Sequence, residues 1–119
     1  MRHLEENTQI ACVRWFTYQF PELAGALHHS PNGGKRNARE AARFKAMGTK
    51  AGFPDIALFY PTNEYHALFI ELKTDKGRQT ENQKWWQQWA TAHGYKYAVV
   101  RSFEEFVIEV KTYLKNNKS

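Results

Sequence analysis

Two stretches of the sequence, residues 52–55 (Gly-Phe-Pro-Asp) and residues 70–73 (Ile-Glu-Leu-Lys), decide the expected fold. An apolar run follows the first stretch and another overlaps the second, while the polar residues 61–64 between them are typical of a turn. Two apolar, aromatic-rich runs joined by a short polar loop predict an antiparallel hairpin. The expected strands are residues 56–60 and residues 67–73.

The register of this hairpin follows from the position of its turn. If the turn is centred on Asn63, paired residues lie equally far from it along the chain, so Asp55 is opposite Glu71. Side chains alternate between the two faces of a strand, which places Phe69, Glu71 and Lys73 on one face. Two carboxylates and one amine are therefore expected together, and like charges directly opposite each other on a sheet repel.

Three arrangements would relieve the repulsion between Asp55 and Glu71. One carboxyl group can hold a proton, Lys73 can neutralise part of the charge, or a hard divalent cation can bridge the pair. A purely structural alternative needs no site. In it, Asp55 caps the turn after Pro54, and Glu71 and Lys73 form an ion pair on the surface. The spacing alone leaves these alternatives open.

The composition is that of one small basic domain. The chain has 119 residues, the size of a single core, so we expect residues 1–119 to form one domain. It carries 17 basic and 12 acidic residues, a net charge of +5. Its one cysteine, Cys12, cannot form an internal disulfide, which favours a buried thiol and a reducing cytoplasm. No apolar run approaches the roughly 20 residues of a membrane span, and a polar, acidic N-terminus is not typical of a signal peptide.

Much of the positive charge precedes Asp55 in the chain. Asn37 is a suitable cap for a helix over residues 38–47, on which arginines at three- and four-residue steps form a basic stripe. A solvated helix face and a phosphate-binding surface both fit this pattern, and we favour the second because the segment leads directly to Asp55. The expected nucleic-acid contacts are Lys35, Arg36, Arg39, Arg43, Lys45 and Lys50.

The rest of the chain predicts helices and strands on either side of the hairpin. Thr80 and Gln83 form a capping-box pattern that begins one of these helices. The order helix, strand, helix, strand, strand, helix, strand, helix predicts an α/β fold with a mixed sheet, the last two strands parallel across a helical crossover. The expected elements outside the hairpin are helices at residues 4–19, 38–47, 81–93 and 103–114 and strands at residues 25–29 and 95–100.

An apolar face on the third predicted helix has three tryptophans. They are Trp85, Trp86 and Trp89, with Ala90 beside them. Tryptophan can stack on nucleic-acid bases, but we favour core packing or an interface with a partner. The sequence does not choose between core and dimer interface.

Six residues in a characteristic order resemble a known nuclease family, the VRR-NUC branch of the PD-(D/E)xK nucleases, in its compact stand-alone form from phages and bacteria. The resemblance covers nearly the whole chain, from about residue 3 to residue 110. In place of the family's Val-Arg-Arg signature this chain has Val-Val-Arg at residues 99–101. These six are Glu5, Gln9, Asp55, Glu71, Lys73 and Gln83, and Gly52 and Pro54 lead into Asp55 in the same pattern.

The resemblance implies a restriction-endonuclease-like core and a site that binds Mg²⁺ or Mn²⁺. It implies that Lys73 orients or activates the attacking water and that Gln83 belongs to the same site. The spacing to Gln9 favours Glu5 as the ligand on the first helix, and Glu6 remains an alternative. The implied metal ligands are Glu5, Asp55, Glu71 and the main-chain carbonyl of Leu72.

DNA is the substrate that the resemblance implies, in particular branched DNA such as flaps or four-way (Holliday) junctions. It also implies a homodimer in a bacterium or a phage-infected cell. The single cysteine favours the cytoplasm there, and the lack of a long apolar run predicts no membrane partner. Phosphate contacts position a substrate without reading its sequence, so we expect selection by structure. Two alternatives are a non-catalytic nucleic-acid-binding module on the same fold and a nuclease acting on RNA or on other DNA. The intact Asp55, Glu71 and Lys73 favour a nuclease.

Overall fold

The computed structural model describes the backbone of residues 2–30 and 37–115 and the side chains of residues 6–30 and 37–115. None of the helices in these ranges is long and apolar enough to span a membrane. The order of elements confirms the predicted succession of helices and strands and adds one 3-10 helix. In chain order the elements are α1 (Arg2–Gln19), the 3-10 helix (Pro21–Ala26), β1 (Leu27–His29), α2 (Ala38–Ala46), β2 (Ile56–Leu58), β3 (Leu68–Leu72), α3 (Glu81–Ala92), β4 (Lys96–Val100) and α4 (Phe103–Lys115).

The four strands form one mixed sheet in the order β1-β2-β3-β4. β2 and β3 are antiparallel, with Ile56 opposite Ile70, which is the register predicted from a turn centred on Asn63. The pairing ends at Ile56 and Ile70, and one further step in the same register would place Asp55 opposite Glu71. β3 and β4 are parallel, as predicted, because α3 carries the chain back to the end of the sheet where β3 began.

Helices cover both faces of the sheet and create two separate cores. The larger core joins β3 and β4 to α1 and α4, and it contains Cys12, whose pKa is raised to about 12 by burial, so the thiol stays protonated. The smaller core lies under α3 and contains Phe69 and Tyr97. Glu71 alternates with Leu72 of the larger core, so it lies on the α3 side. The buried side chains of the larger core are Cys12, Phe16, Ile56, Leu58, Leu68, Ile70, Leu72, Ala98, Val100, Phe106, Val110 and Tyr113.

Two predicted strand boundaries are wrong by two residues, and three others are wrong by one, because residues 67, 73 and 95 lie outside β3 and β4. Residues 25 and 26 belong to the 3-10 helix rather than to β1, because Pro21 starts a helical turn without needing a backbone N–H donor. β2 ends at Leu58, although the apolar run continues to residue 60. Beyond that point Pro61 has no N–H for a ladder, and His66 donates its N–H to the Gly94 carbonyl at 2.8 Å instead of to β2.

Candidate active site

Glu71 is the buried acid of the site, with 1% of its side chain exposed. Its Oε1 accepts hydrogen bonds from the Tyr97 hydroxyl at 2.7 Å and from Gln79 Nε2 at 3.0 Å. Its Oε2 is also buried, and no side chain or backbone group in the described ranges donates a hydrogen bond to it. Lys73 Nζ lies 3.6 Å from this oxygen, near enough to offset its charge but too far for a hydrogen bond. Leaving a buried acceptor unsatisfied is costly, so Oε2 has room in its hydrogen-bonding capacity for a ligand or an ordered water.

Asp55 lies immediately before β2, at the end of the sheet where Glu71 is found. Its Oδ2 accepts a hydrogen bond from the Leu72 N–H at 2.7 Å, so the side chain extends the pairing of β2 with β3. Its own carbonyl accepts the Ser30 N–H at 3.0 Å, and His29 Nδ1 lies 3.0 Å from the same oxygen. Asp55 is therefore fixed from both neighbouring strands.

Gly52 determines how the chain approaches Asp55. Its φ is +78°, a conformation that residues with a side chain rarely adopt. A Cβ atom there would lie 2.7 Å from the backbone carbonyl carbon of Asn82 and 2.8 Å from the backbone nitrogen of Gln83. Because the first turn of α3 cannot move away locally, only glycine allows this close approach. The adjacent Phe53 then packs its ring against Trp86, with centroids 5.0 Å apart.

Three glutamines lie at or near the start of α3, one in a predicted role and two in contacts that the sequence did not indicate. Gln83 completes the predicted capping box: the Thr80 N–H donates to its Oε1 at 2.8 Å, and its own N–H donates to Thr80 Oγ1 at 3.2 Å. Gln79 Nε2 instead bridges Glu71 Oε1 and Gln87 Oε1, the latter at 2.9 Å. Sequence reasoning missed Gln79 and Gln87, and a role of Gln83 in the site stays a prediction.

Tyr97 is a second residue that the sequence did not indicate. Burial raises the pKa of its phenol, and the hydrogen bond to Glu71 and the charges of Glu71 and Asp55 raise it further. The hydroxyl therefore stays protonated and donates to Glu71. Tyr97 lies on β4, and the parallel pairing of Phe69 with Tyr97 brings it beside the acid. No local spacing could have revealed this contact.

Arg101 fastens the loop that follows Lys73. One guanidinium nitrogen, Nη1, donates to three backbone carbonyls of this loop and so ties it to the end of β4. The only sequence signal that Arg101 has a role was its position in residues 99–101, the segment that corresponds to the family's Val-Arg-Arg signature. The acceptors are the carbonyls of Thr74 at 2.7 Å, Asp75 at 3.2 Å and Gly77 at 2.8 Å.

A cavity of about 580 Å³ opens at the carboxyl ends of the parallel strands β3 and β4. Lys73 and Arg101 line it, together with Thr8 of α1. Ligands of open α/β sheets bind preferentially at the carboxyl ends of the strands. Because residue 5 precedes Thr8 by about one helical turn, the beginning of α1 is close to this end of the sheet.

Part of the predicted site lies outside the described residues. This applies to the side chain of Glu5 and to Lys35 and Arg36. Glu6, the alternative to Glu5, is exposed. Among the side chains that are described, no group of three or more His, Cys, Asp or Glu is placed to hold a metal ion. Among the described side chains, Asp55 and Glu71 are therefore the two acids of the predicted site. The choice between Glu5 and Glu6 as a third acid stays a prediction.

The described basic residues of the segment before Asp55 are exposed. The predicted cap of α2 is confirmed, since Asn37 Oδ1 accepts the Glu40 N–H at 2.7 Å. The side chains of these basic residues are exposed to solvent, and their contact with nucleic acid stays a prediction. These residues are Arg39, Arg43, Lys45 and Lys50.

Comparison with known proteins identifies the family. A family model of the VRR-NUC domain matches residues 3–104, a range that includes the hairpin, α3 and β4. The chain belongs to the VRR-NUC family. A solved structure described as a VRR_NUC domain protein is 30% identical and superposes with a TM-score of 0.84, covering 95% of this chain and 89% of that one. The α/β fold predicted from the resemblance is thereby confirmed for this VRR-NUC domain. No curated protein matches the chain.

Proposed function

We propose that this VRR-NUC chain is a nuclease that hydrolyses phosphodiester bonds of DNA and requires Mg²⁺ or Mn²⁺. VRR-NUC domains are generally nuclease domains, which supports DNA cleavage. The single observation that carries the metal requirement is Glu71 Oε2. It is a buried carboxylate oxygen with no hydrogen bond from the described residues, and it lies 3.6 Å from a lysine amine.

The donor set at this end of the sheet fits a hard divalent cation. Asp55, Glu71 and the carbonyl of Leu72 would hold the ion, with Glu5 as the predicted fourth ligand, and all of these donors are oxygens. The Leu72 N–H points to Asp55, and in an extended strand the carbonyl of the same residue points to the same side. When bound, such an ion lowers the pKa of water and offsets the negative charge that develops at phosphorus.

The chain's own residues would hold the reacting groups in place. Lys73, with 14% of its side chain exposed, would hold the attacking water and stabilise negative charge beside Glu71. Tyr97 and Gln79 fix the Glu71 carboxylate through its other oxygen. Arg101 keeps the loop after Lys73 against β4. The site is therefore organised before a substrate arrives.

The basic surface supports binding to DNA through its phosphates. The exposed cations of α2 and of the loop after it would contact the backbone, with an affinity that falls as salt rises. Such contacts carry no sequence information, so we propose selection by DNA structure, with flaps and four-way junctions as the preferred substrates. A four-way junction has two-fold symmetry, which a homodimer would match.

Cleavage of a labelled four-way junction tests this proposal, with linear duplex and single strand alongside, in Mg²⁺, in Mn²⁺ and in EDTA. We expect metal-dependent cutting that favours the junction and is lost in Lys73→Ala. Equal cutting of all three substrates would support nuclease activity and contradict selection by DNA structure. Tight binding without cutting in either metal would contradict nuclease activity and favour the alternative, a non-catalytic binding module.

A further inference from the structure

A second cavity, of about 670 Å³, lies between α2 and the start of α3, outside the site of Asp55 and Glu71. We call it the tryptophan groove. Its volume falls in the range of small-molecule and nucleotide-sized sites. The residues that line it are Ala41, Phe44, Lys45, Thr49, Lys50, Ala51, Asn82, Trp85 and Trp86.

Trp85 presents an exposed ring to this groove from a rigid support. Its side chain is 54% exposed, although it belongs to one of the largest apolar residue types. The ring packs edge-to-face on Trp86, with centroids 5.1 Å apart and an interplanar angle of 90°. Trp86 is half-buried and packs in turn on Phe53. The core role considered from the sequence is therefore wrong for Trp85. Its ring contacts Trp86 and Trp89 and still remains more than half exposed.

Lys45 and Lys50 give the tryptophan groove a positive charge. Both line it, and none of the described residues in its lining carries a carboxylate. Glu81, at the start of α3, is not part of the lining, and its Oε2 lies 3.4 Å from Lys84 Nζ. A flat aromatic ring flanked by amines matches the alternation of base and phosphate in a nucleic-acid strand.

The charge disfavours a second copy of the chain as the occupant. A two-fold interface places the same surface patch on both partners, so Lys45 and Lys50 of one copy would approach the same lysines of the other. Like charges brought together in an interface cost free energy. A polyanion meets no such repulsion.

The position of the groove relates it to the proposed site. Ala51 lines the groove, and Asp55 lies four residues further along the chain, so their Cα atoms are at most about 14 Å apart. A nucleotide in the groove would therefore lie only a few nucleotides from a phosphate at the site. In an intact duplex the faces of each base are covered by its neighbours, so only an unpaired base can stack on Trp85.

We infer that the tryptophan groove binds an unpaired nucleotide of the DNA substrate, with its base stacked on Trp85 and its phosphates against Lys45 and Lys50. The inference rests on the proposed function for the identity of the ligand as DNA. It adds a physical basis for selection by structure, because branch points and single-stranded flaps supply unpaired bases whereas continuous duplex does not.

Binding in EDTA tests the inference without requiring cleavage. The probes are a fluorescein-labelled single strand of thymidine nucleotides and a blunt duplex of equal length, measured by fluorescence anisotropy. Trp85→Ala should weaken single-strand binding by about 5- to 150-fold and lower the ratio of single-strand to duplex affinity. Trp85→Phe, which retains a ring, should recover most of the loss. Tyr18→Ala removes a ring on α1 that is more exposed than Trp85, at 85%, and should leave both affinities unchanged.

Three outcomes would overturn the inference. These are an unchanged single-strand affinity in Trp85→Ala, an equal loss for both probes, and conversion of a dimer into monomers by Trp85→Ala in sedimentation analysis. The last outcome would identify the surface as an interface between copies. This result can be distinguished from a failure of the proposed function. If the chain passes this test but never cuts DNA, the nuclease proposal is contradicted and the binding surface is still supported.

Discussion

At the scale of single residues, the two oxygens of Glu71 have different environments. Oε1 accepts two hydrogen bonds, and Oε2 accepts none from the described residues. Orienting a metal-binding carboxylate through its second oxygen is a common arrangement, because the outer hydrogen bonds fix the direction of the free lone pairs. Tyr97 is therefore expected to act on metal binding through Glu71.

Tyr97→Phe removes the hydroxyl that donates to Glu71 Oε1 at 2.7 Å. We expect the Mg²⁺ concentration for half-maximal cutting to rise by about 10- to 100-fold, measured as the cutting rate in a metal titration. Tyr113→Phe is the matched control, since it removes a buried hydroxyl that donates to the Tyr60 carbonyl at 2.7 Å, and its metal requirement should not change. Equal metal requirements in the two variants would show that Tyr97 has only a structural role.

The residue scale also shows the limit of prediction from sequence. Asp55, Glu71 and Lys73 are recognisable because hairpin register and strand alternation are local rules, and both rules hold here. Tyr97 and Glu71 are 26 residues apart, and their contact depends on the register of two parallel strands joined by a helix. That register follows from the packing of α3 on the sheet, which no short pattern encodes.

At the scale of elements, the loop before β2 makes a close contact with the first turn of α3. The capping box fixes where α3 begins, and Gly52 lets residues 52–55 approach its backbone. This contact positions Asp55 relative to Gln79 and Gln87 of the same site. The prediction of capped helices succeeded because Asn37 and Thr80 act within one turn. The 3-10 helix was missed because its residues have no strong helical or strand pattern.

Gly52→Ala tests this contact. Gly52 combines a φ of +78° with a Cβ position 2.7 Å from Asn82, so the variant should lose more than the roughly 1–2 kcal/mol that a left-handed conformation costs a residue with a side chain. Gly48→Ala separates the two effects, because Gly48 has a φ of +110° and nothing within 4 Å. Gly25→Ala, in open space with an ordinary φ, should change the free energy of unfolding by less than about 0.5 kcal/mol. Urea denaturation measures all three, and a loss no larger in Gly52→Ala than in Gly48→Ala would contradict the contact.

At the scale of the whole molecule, the segment that carries the exposed basic residues leads to the loop of Asp55 and also borders the tryptophan groove. The exposed cations of α2 lie just before the loop that carries Gly52 and Asp55, and the tryptophan groove lies between α2 and α3. The net charge of +5 alone predicted little, because many basic proteins do not bind nucleic acid. The location of the charge could be predicted only in outline, since it depends on how α2 is presented beside α3.

The salt dependence of duplex binding tests the basic surface. Each phosphate contact contributes about −0.9 to the slope of log affinity against log salt, so the double variant Arg39→Ala/Arg43→Ala should make the slope less negative by about 2. The matched control is Lys111→Ala/Lys115→Ala, which removes the same charge at the same four-residue spacing from two exposed lysines of α4. Equal changes of slope in the two double variants would show a diffuse effect of net charge.

The most direct test of the central claim is the single-turnover rate of junction cleavage in Mn²⁺ by Glu71→Gln, compared with Glu64→Gln. Both substitutions remove one negative charge from the hairpin, but Glu64 is exposed in the turn, and glutamine at position 71 still offers an oxygen to Tyr97. We predict that Glu71→Gln binds the junction in EDTA as well as the wild type does and cuts it more than about 100-fold more slowly, while Glu64→Gln cuts normally. Equal cutting by the two variants would contradict a metal site at Glu71.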